Sequence, residues 1–380
     1  MRKLARKKIR NIKPYKPGKP IKELERELGI SERDIIKLAS NENPIGPSPR
    51  AIKAIRESID LIHRYPDGSS FYLKKKLASK LRLKPQNIIL GNGSDEIIDI
   101  VTKAFLEEDE EAIISEPSFL EYRIIVKTRG ARIKASPMEL PSVLGGKGSS
   151  RRFAYNIDDV LRSITRKTKL IFIGNPDNPT GSYLTKKELA YFLKKCPKKV
   201  IVVFDEAYRE FVDKRDYSNP IDFIDKHSVI ILRTFSKAYG LAGLRIGYAV
   251  TSEKLAGWME RVRQPFNVNL LAQIAAESAL DDKAHLSKTK AVIKKGREYL
   301  EKDLKRLGFD IIKTPANFLL ISYRGVKGTD LFKSLLPYGV IIRDMKVYGL
   351  PAWVRVNVGT MDENRRLIKT LKRLNYGVSR

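Results

Sequence analysis

The sequence of 380 residues predicts an α/β protein: a large domain built on a mostly parallel sheet sandwiched by helices, with a smaller α+β domain beside it. Three observations predict it. The chain is too long for one ordinary core and suits two domains. Several runs are apolar throughout, such as Val200-Ile201-Val202-Val203-Phe204, the pattern of strands buried on both faces of a parallel sheet. Such runs also alternate with helical patterns through the middle of the chain.

Taken in order, residues 1–46 form an N-terminal arm, expected to pack with the small domain and a second copy of the chain. Ser48-Pro49 opens a helix, serine being a good N-cap and proline being tolerated at the first helical position. Ile52, Ile55, Ile59 and Ile62 follow at helical spacing. Tyr65-Pro66-Asp67-Gly68 reads as a turn, and a second helix begins near Ser69. Strands are expected at Asn87–Leu90, Ala112–Ser115, Lys169–Ile173, Val200–Phe204, Val229–Leu232 and Arg245–Val250. The stretch Glu139–Arg152, with its Gly-Gly-Lys-Gly-Ser-Ser core, reads as a surface loop. Amphipathic helices near Leu270–Leu280 and Lys288–Leu307 lead into short strands and helices. The expected domains are therefore 47–281, large, and 282–380, small.

Composition narrows the function. With 42% hydrophobic and 31% charged residues the chain reads as soluble. Its single cysteine, Cys196, forbids an internal disulfide, and three scattered histidines argue against a metal enzyme. No apolar run approaches the roughly 18 residues that span a bilayer, and no secretory apolar core stands at the N-terminus, so a cytoplasmic location is expected. The net charge of +30, with ten basic residues between Arg2 and Lys22 before any acid, raises nucleic acid as a partner. No zinc-finger, helix-turn-helix or RNA-binding signature accompanies it. A basic, solvated surface that favours anionic ligands is the expectation.

In an open α/β sheet, ligands bind beyond the carboxyl ends of the strands, and four runs are followed there by polar motifs. Gly91-Asn92-Gly93-Ser94-Asp95-Glu96 precedes a helix; its amides suit a phosphate, or Ser94 merely caps the helix. Gly174-Asn175-Pro176-Asp177-Asn178-Pro179-Thr180-Gly181 is either an Asx/Pro turn or a stiff mount for the Asn178 amide. Asp205-Glu206-Ala207-Tyr208 places an acid at a buried strand end, where it either caps a helix or faces the pyridinium nitrogen of pyridoxal phosphate (PLP), holding it protonated. Arg233-Thr234-Phe235-Ser236-Lys237-Ala238-Tyr239-Gly240 places Lys237 where burial lowers an amine's pKa. Ser236 and Arg245 could hold an anion.

Ser236-Lys237-Ala238-Tyr239-Gly240-Leu241-Ala242-Gly243-Leu244-Arg245-Ile246-Gly247, with Asn178-Pro179-Thr180-Gly181 and Asp205-Glu206-Ala207-Tyr208 upstream, resembles the fold-type I, class II PLP-dependent aminotransferases. Within them it is most similar to the histidinol-phosphate aminotransferase family. That likeness rests on Pro14-Tyr15-Lys16-Pro17-Gly18-Lys19-Pro20, Ser40-Asn41-Glu42-Asn43-Pro44, Arg64-Tyr65-Pro66-Asp67-Gly68, Arg343-Asp344-Met345 and Val354-Arg355-Val356-Asn357-Val358-Gly359-Thr360. It spans residues 14 to 373. The resemblance implies a seven-stranded large-domain sheet and a homodimer. Lys237 would carry the cofactor and shuttle the proton, Asp205 would pair with the ring nitrogen, and Asn178 and Tyr208 would hold the ring oxygen. Phe119, often tyrosine in the family, would stack on the ring. Gly93, Ser94, Asp95, Ser236 and Arg245 would cradle the phosphate. Tyr65 would enter the neighbouring subunit's site. Tyr15, Asn43, Arg343 and Arg355 would contact substrate, with Tyr65 and Asn178. The implied reaction is histidinol phosphate plus 2-oxoglutarate to imidazole acetol phosphate plus glutamate. Aromatic aminotransferases and threonine-phosphate decarboxylase are rivals on the same scaffold, and a nucleic-acid-binding regulator with a PLP-type core is a distant one. The glycine-rich loop and the first thirteen residues fall outside the pattern.

Overall fold

The computed structural model describes residues 4–139 and 153–377; the glycine-rich part of the expected 139–152 loop lies outside them. Strand β1 (Ile36–Lys37) belongs to the arm. The next seven strands, β2 (Ile88–Gly91), β3 (Glu111–Glu116), β4 (Arg132–Pro137), β5 (Thr168–Gly174), β6 (Ile201–Asp205), β7 (Val229–Thr234) and β8 (Gly247–Thr251), form one sheet in the order β2-β8-β7-β6-β5-β3-β4. Only β8 runs antiparallel to its neighbours. Alternation along each strand fills two cores at once: Phe172, Val203 and Leu232 pack on one face, and Ile173, Phe204 and Ile231 on the other. That double burial is why these runs are apolar at every position.

Three departures from expectation have local causes. Strand β4 was not expected, because Arg132–Pro137 is an edge strand with only Ser136 buried, and it lacks an apolar run. Arg245 lies outside β8: its φ is +55°, a left-handed turn. The helix opened by Ser48 ends at Ser58, so Ile59 and Ile62 leave the helical face and stand 45% and 63% exposed.

The smaller unit is an antiparallel sheet, β9 (Asp310–Ile312), β10 (Phe318–Ser322), β12 (Arg343–Asp344) and β13 (Trp353–Asn357), in the order β12-β13-β10-β9. It packs with the helices Lys283–Arg306 and Met361–Arg373 around Leu300, Phe318, Val356 and Leu367. The arm joins it through β1, which pairs in parallel with β11 (Val340–Ile341). Residues nearer the N-terminus instead rest on the large domain: Arg6 Nη2 donates to the Thr128 carbonyl at 2.6 Å, and Lys8 Nζ meets Asp109 at 2.9 Å and Glu108 at 3.0 Å.

Candidate active site

Register aligns the strand ends. Gly174 sits opposite Asp205, and Asp205 opposite Leu232, so the turns after β5, β6 and β7 emerge at one level. Together with the turn after β2, the arm and β12–β13, they enclose a cavity of about 350 Å³. Tyr15, Ser94, Asp95, Phe119, Asn178, Asp205, Tyr208, Ser236, Lys237, Arg245, Arg343 and Arg355 all line it.

Lys237 reaches across the cavity, its Nζ donating to the Ser40 carbonyl at 3.1 Å. Burial pushes its amine down to about 8, helped by the Arg355 charge and opposed by Glu42. Facing it, Asp205 continues the alternation of β6 and points to the side of the sheet that holds Tyr122. Its Oδ2 accepts from the Tyr122 hydroxyl at 2.7 Å and its Oδ1 from the Ala207 N–H at 3.0 Å. Burial pushes the Asp205 carboxyl up to about 6, with the Tyr122 bond working against that rise. No cation among the described residues pairs with it in an ion pair. The contact with Ala207 is a local turn, followed only by a short 3-10 segment, Arg209–Phe211, so Asp205 is not the cap of an α-helix.

The phosphate-type end is built on the helix Gly93–Phe105, whose N-cap position is Asn92. Ser94 is therefore in the first turn and is not the cap. Gly93 has φ +82°, a left-handed conformation that calls for glycine, and a Cβ there would press on the Arg245 guanidinium and displace it. The left-handed turn at Arg245 sends its guanidinium to this spot, with Nη2 on Asp95 Oδ2 at 3.0 Å and Nη1 near Ser236 Oγ at 3.4 Å. The Asp95 carboxylate is thus turned to the arginine, and the backbone amides of the helix's first turn join Arg245 and Ser236 in what this end offers an anion.

Between these ends, Asn178 Oδ1 accepts from Arg355 Nη1, which commits its NH2 group as the side chain's free donor. The Tyr208 hydroxyl accepts from Asn41 Nδ2 at 2.8 Å, and burial raises its pKa well above the ordinary phenol value. The Phe119 ring stands edge-on to Tyr122, at 84° with 5.6 Å between centroids. At the outer end Arg355 is 5% exposed; its Nη2 donates to the Ala39 carbonyl at 2.7 Å, and its Nε has no partner. Arg343 holds the Lys16 carbonyl at 2.5 Å and lies 6.0 Å from the Tyr15 ring centre.

Two expected site residues stand elsewhere. Asn43 does not line the cavity: its Nδ2 donates to the Ala238 carbonyl at 3.0 Å and to Thr289, and its Oδ1 accepts from Ile45 N–H. It braces the residue after Lys237 instead. Tyr65 is 83% exposed and stacks on Phe266 at 4.8 Å, outside this cavity. The structure also brings in Tyr122, Asn41 and Ser40, which sequence reasoning missed. Tyr122 sits three residues after Phe119 at the start of a helix, but in the sequence it reads as an ordinary core aromatic.

The set fits pyridoxal phosphate. A buried carboxylate supplied with neutral donors and no cation matches a pyridinium nitrogen. Arg245, Ser236 and the helix amides match a phosphate, and a desolvated amine matches the lysine such a cofactor needs. Comparison with known proteins agrees. The model of the family "Aminotransferase class I and II" matches residues 33–371. The chain is 42% identical over 372 residues to a histidinol-phosphate aminotransferase of Moorella thermoacetica, covering 97% of this chain and 92% of that one. It is 44% identical over 376 residues to that of Desulfotalea psychrophila, covering 97% and 95%. The crystal structure of histidinol-phosphate aminotransferase from Sinorhizobium meliloti in complex with pyridoxal-5'-phosphate superposes with a TM-score of 0.83 at 27% identity, covering 94% of this chain and 95% of that one. By sequence, fold and the arrangement of these strand ends, the chain belongs to the class I and II aminotransferases.

Proposed function

We propose that this protein is a PLP-dependent histidinol-phosphate aminotransferase, converting histidinol phosphate and 2-oxoglutarate to imidazole acetol phosphate and glutamate in histidine biosynthesis. The observation that carries it is the line of three opposed groups in one cavity: Asp205 at the buried end, Lys237 at the middle and Arg355 without a carboxylate partner at the outer end. The similarity to the Moorella and Desulfotalea enzymes supports the choice of substrate.

PLP, when bound, supplies a carbonyl carbon for the substrate's amino group and a cationic ring that takes up an electron pair. The chain's own residues do the rest. Asp205 stays mostly ionised at neutral pH and holds a proton on the ring nitrogen. Asn178 and Tyr208 would bind the ring oxygen, Phe119 would cover the ring face, and Arg245, Ser236 and the amides after Gly93 would hold the phosphate. Lys237 Nζ, its amine brought down to about 8, would take the proton from the substrate's α-carbon and could return it to the cofactor's former carbonyl carbon, as suits a general base close to the working pH. Arg355 and Arg343, with Tyr15, bind the phosphate of one substrate and a carboxylate of the other.

The active unit is a homodimer. Ile59, Ile62, Tyr65, Phe71, Tyr72 and Phe266 are each between 45% and 83% exposed, an aromatic and aliphatic surface that a second copy would cover. Tyr65 would then extend into the partner's cavity. The enzyme is a cytoplasmic one that uses small-molecule substrates; no helix among the described residues is long and apolar enough to cross a membrane.

The test is the absorbance of the PLP-loaded protein. Histidinol phosphate should abolish the bound cofactor's visible band and 2-oxoglutarate should restore it, with imidazole acetol phosphate released. An unchanged band that responds only to aromatic amino acids would replace the substrate, and release of carbon dioxide from threonine phosphate would replace the reaction. Lys237→Ala should abolish turnover while the fold persists; appreciable transamination by that variant would defeat the assignment.

A further inference from the structure

Asp177 plays no part in the chemistry above, yet it is fully buried. It lies between Pro176 and Asn178, in the turn after β5. Its Oδ1 accepts from the Ser118 hydroxyl at 2.7 Å, across 59 residues of sequence. Its Oδ2 accepts from the Thr180 hydroxyl at 2.8 Å and the Thr180 N–H at 3.3 Å. The turn also closes on itself, with Asp177 N–H donating to the Ser182 carbonyl at 2.7 Å and Gly181 N–H to the Asp177 carbonyl at 2.9 Å. No cation among the described residues pairs with the carboxylate. A carboxylate buried on neutral donors is costly, and burial accordingly pushes it up to about 7, against the pull of the Ser118 and Thr180 bonds. Closing a turn does not require that cost.

Neighbours in sequence give the arrangement its meaning. Ser118 immediately precedes Phe119, and Asp177 immediately precedes Asn178. The two turns leave different strands, β3 and β5, which pair with each other in the sheet. Phe119 has only a ring to offer and Asn178 only one amide, so their separation has to be fixed by what stands behind them. We propose that Asp177 is a positioning residue of the cofactor site, its carboxylate tying the turn that carries Phe119 to the turn that carries Asn178. The tie sets the gap between ring face and ring oxygen. Gly174 admits it: a Cβ there would lie 2.7 Å from Asp177 Oδ1. The inference rests on the reading of Phe119 and Asn178 as contacts of the PLP ring.

Ser118→Ala, Asp177→Ala, Asp177→Asn and Asn178→Ala test it together. The readouts are the PLP dissociation constant of the apoprotein, the pH midpoint of the bound cofactor's visible absorbance, and the apoprotein's melting temperature. Ser118→Ala cuts the tie but leaves Thr180 on Asp177; it should weaken PLP binding about five- to tenfold, the scale of one buried hydrogen bond, and shift the absorbance midpoint in the same direction as Asn178→Ala. Asp177→Asn should restore near-native values, because its oxygen can take the Thr180 N–H while its NH2 donates to Ser118 Oγ. A Ser118→Ala protein that binds PLP and titrates as the parent does, while Asn178→Ala shifts both, would overturn the tie. Should Asn178→Ala itself shift neither, the ring-contact reading beneath the tie is what fails. If Asp177→Ala does not fold, Ser118→Ala alone decides, since it removes one hydroxyl.

Discussion

Two arginines, one in the large domain's sheet and one that lines the cavity from the smaller sheet, are buried in opposite ways. Arg233, 2% exposed at the end of β7, places Nε and Nη2 on Glu206 Oε2 at 2.9 and 2.7 Å. Burial disfavours its charge, and Glu206, together with Tyr248 and Glu210, more than offsets that, raising its pKa. Arg355, 5% exposed at β13, is held by a carbonyl and an amide oxygen, and its Nε is left over. The acids divide in the same way. Asp205 ends β6 and Glu206 continues its pairing for one residue, its N–H donating to the Leu232 carbonyl, so the two side chains go to opposite faces: Glu206 meets an arginine, while Asp205 meets a hydroxyl and an amide. Where charge is complemented within the chain the group serves the fold. Where it is buried on neutral partners and also lines the cavity, as Asp205 and Arg355 do, the group is the expected seat of a ligand that brings the opposite charge.

The largest effect that would break this contrast is on the structural side. Glu206→Gln strands a buried guanidinium and should cost about 3–5 kcal/mol of folding stability, measured by denaturant unfolding of the apoprotein. PLP affinity of the molecules that remain folded should be close to native. An unchanged unfolding midpoint would mean that Arg233 is no more dependent on its partner than Arg355 is.

Arg355→Met sharpens the other half. Little stability should be lost, because no buried carboxylate is left behind, but kcat/KM for both histidinol phosphate and 2-oxoglutarate should fall by about two to three orders of magnitude, the scale for truncating a buried charged contact. A loss confined to one of the two substrates would show that they use different cations, and would move the weight to Arg343.

Much of this site could be read in the sequence, for a physical reason. Fully apolar strands mark their own ends, so Asp205 announces itself as the first polar residue after its run, and Ser94, Asn178 and Lys237 stand in the polar segments that directly follow theirs. What could not be read depends on contacts between distant segments. Tyr122 has the look of core, and it is core; only its hydroxyl, 2.7 Å from Asp205, does something else. Asp177 looks like any turn residue until Ser118 is brought beside it. Asn43 lies within a motif and was expected at the substrate, yet its amide is consumed by the Ala238 backbone. Ile59 and Ile62 keep helical spacing beyond the point where the helix ends, so periodicity predicted a buried face where the structure has an exposed one.

The adjacent acids also offer a pH signature. The folded-state pKa of Asp205 is raised to about 6 from the ordinary carboxylate value, so the folded apoprotein keeps a proton that the unfolded chain releases near pH 4. Stability contributed by this group is therefore lost as pH rises from about 4 to about 6, and stays lost above that; the shift of about two units corresponds to about 3 kcal/mol at most. Asp205→Asn apoprotein should gain on the parent across that window and hold the gain at pH 7, measured as the difference between their unfolding free energies. Saturating PLP should remove the parent's disadvantage, because a ring cation then plays for Asp205 the part that Arg233 plays for Glu206. A difference that does not vary with pH would mean that burial is not what perturbs this carboxylate.

The smallest effect belongs to Arg343, which tests how far the contrast depends on burial. Its guanidinium is only half-buried, bonded to the Lys16 carbonyl and set 6.0 Å from the Tyr15 ring. Like Arg355 it has no carboxylate partner among the described residues, but water reaches it, and exposed charges contribute about 1 kcal/mol or less. Arg343→Ala should therefore raise KM by about tenfold at most, with kcat nearly unchanged, and added salt should shrink the difference further. A loss as large as that of Arg355→Met, insensitive to salt, would mean that substrate binding closes the arm over Arg343 and buries it. The absence of a protein partner would then be the mark of a ligand-binding arginine, and its burial in the apoprotein would be incidental.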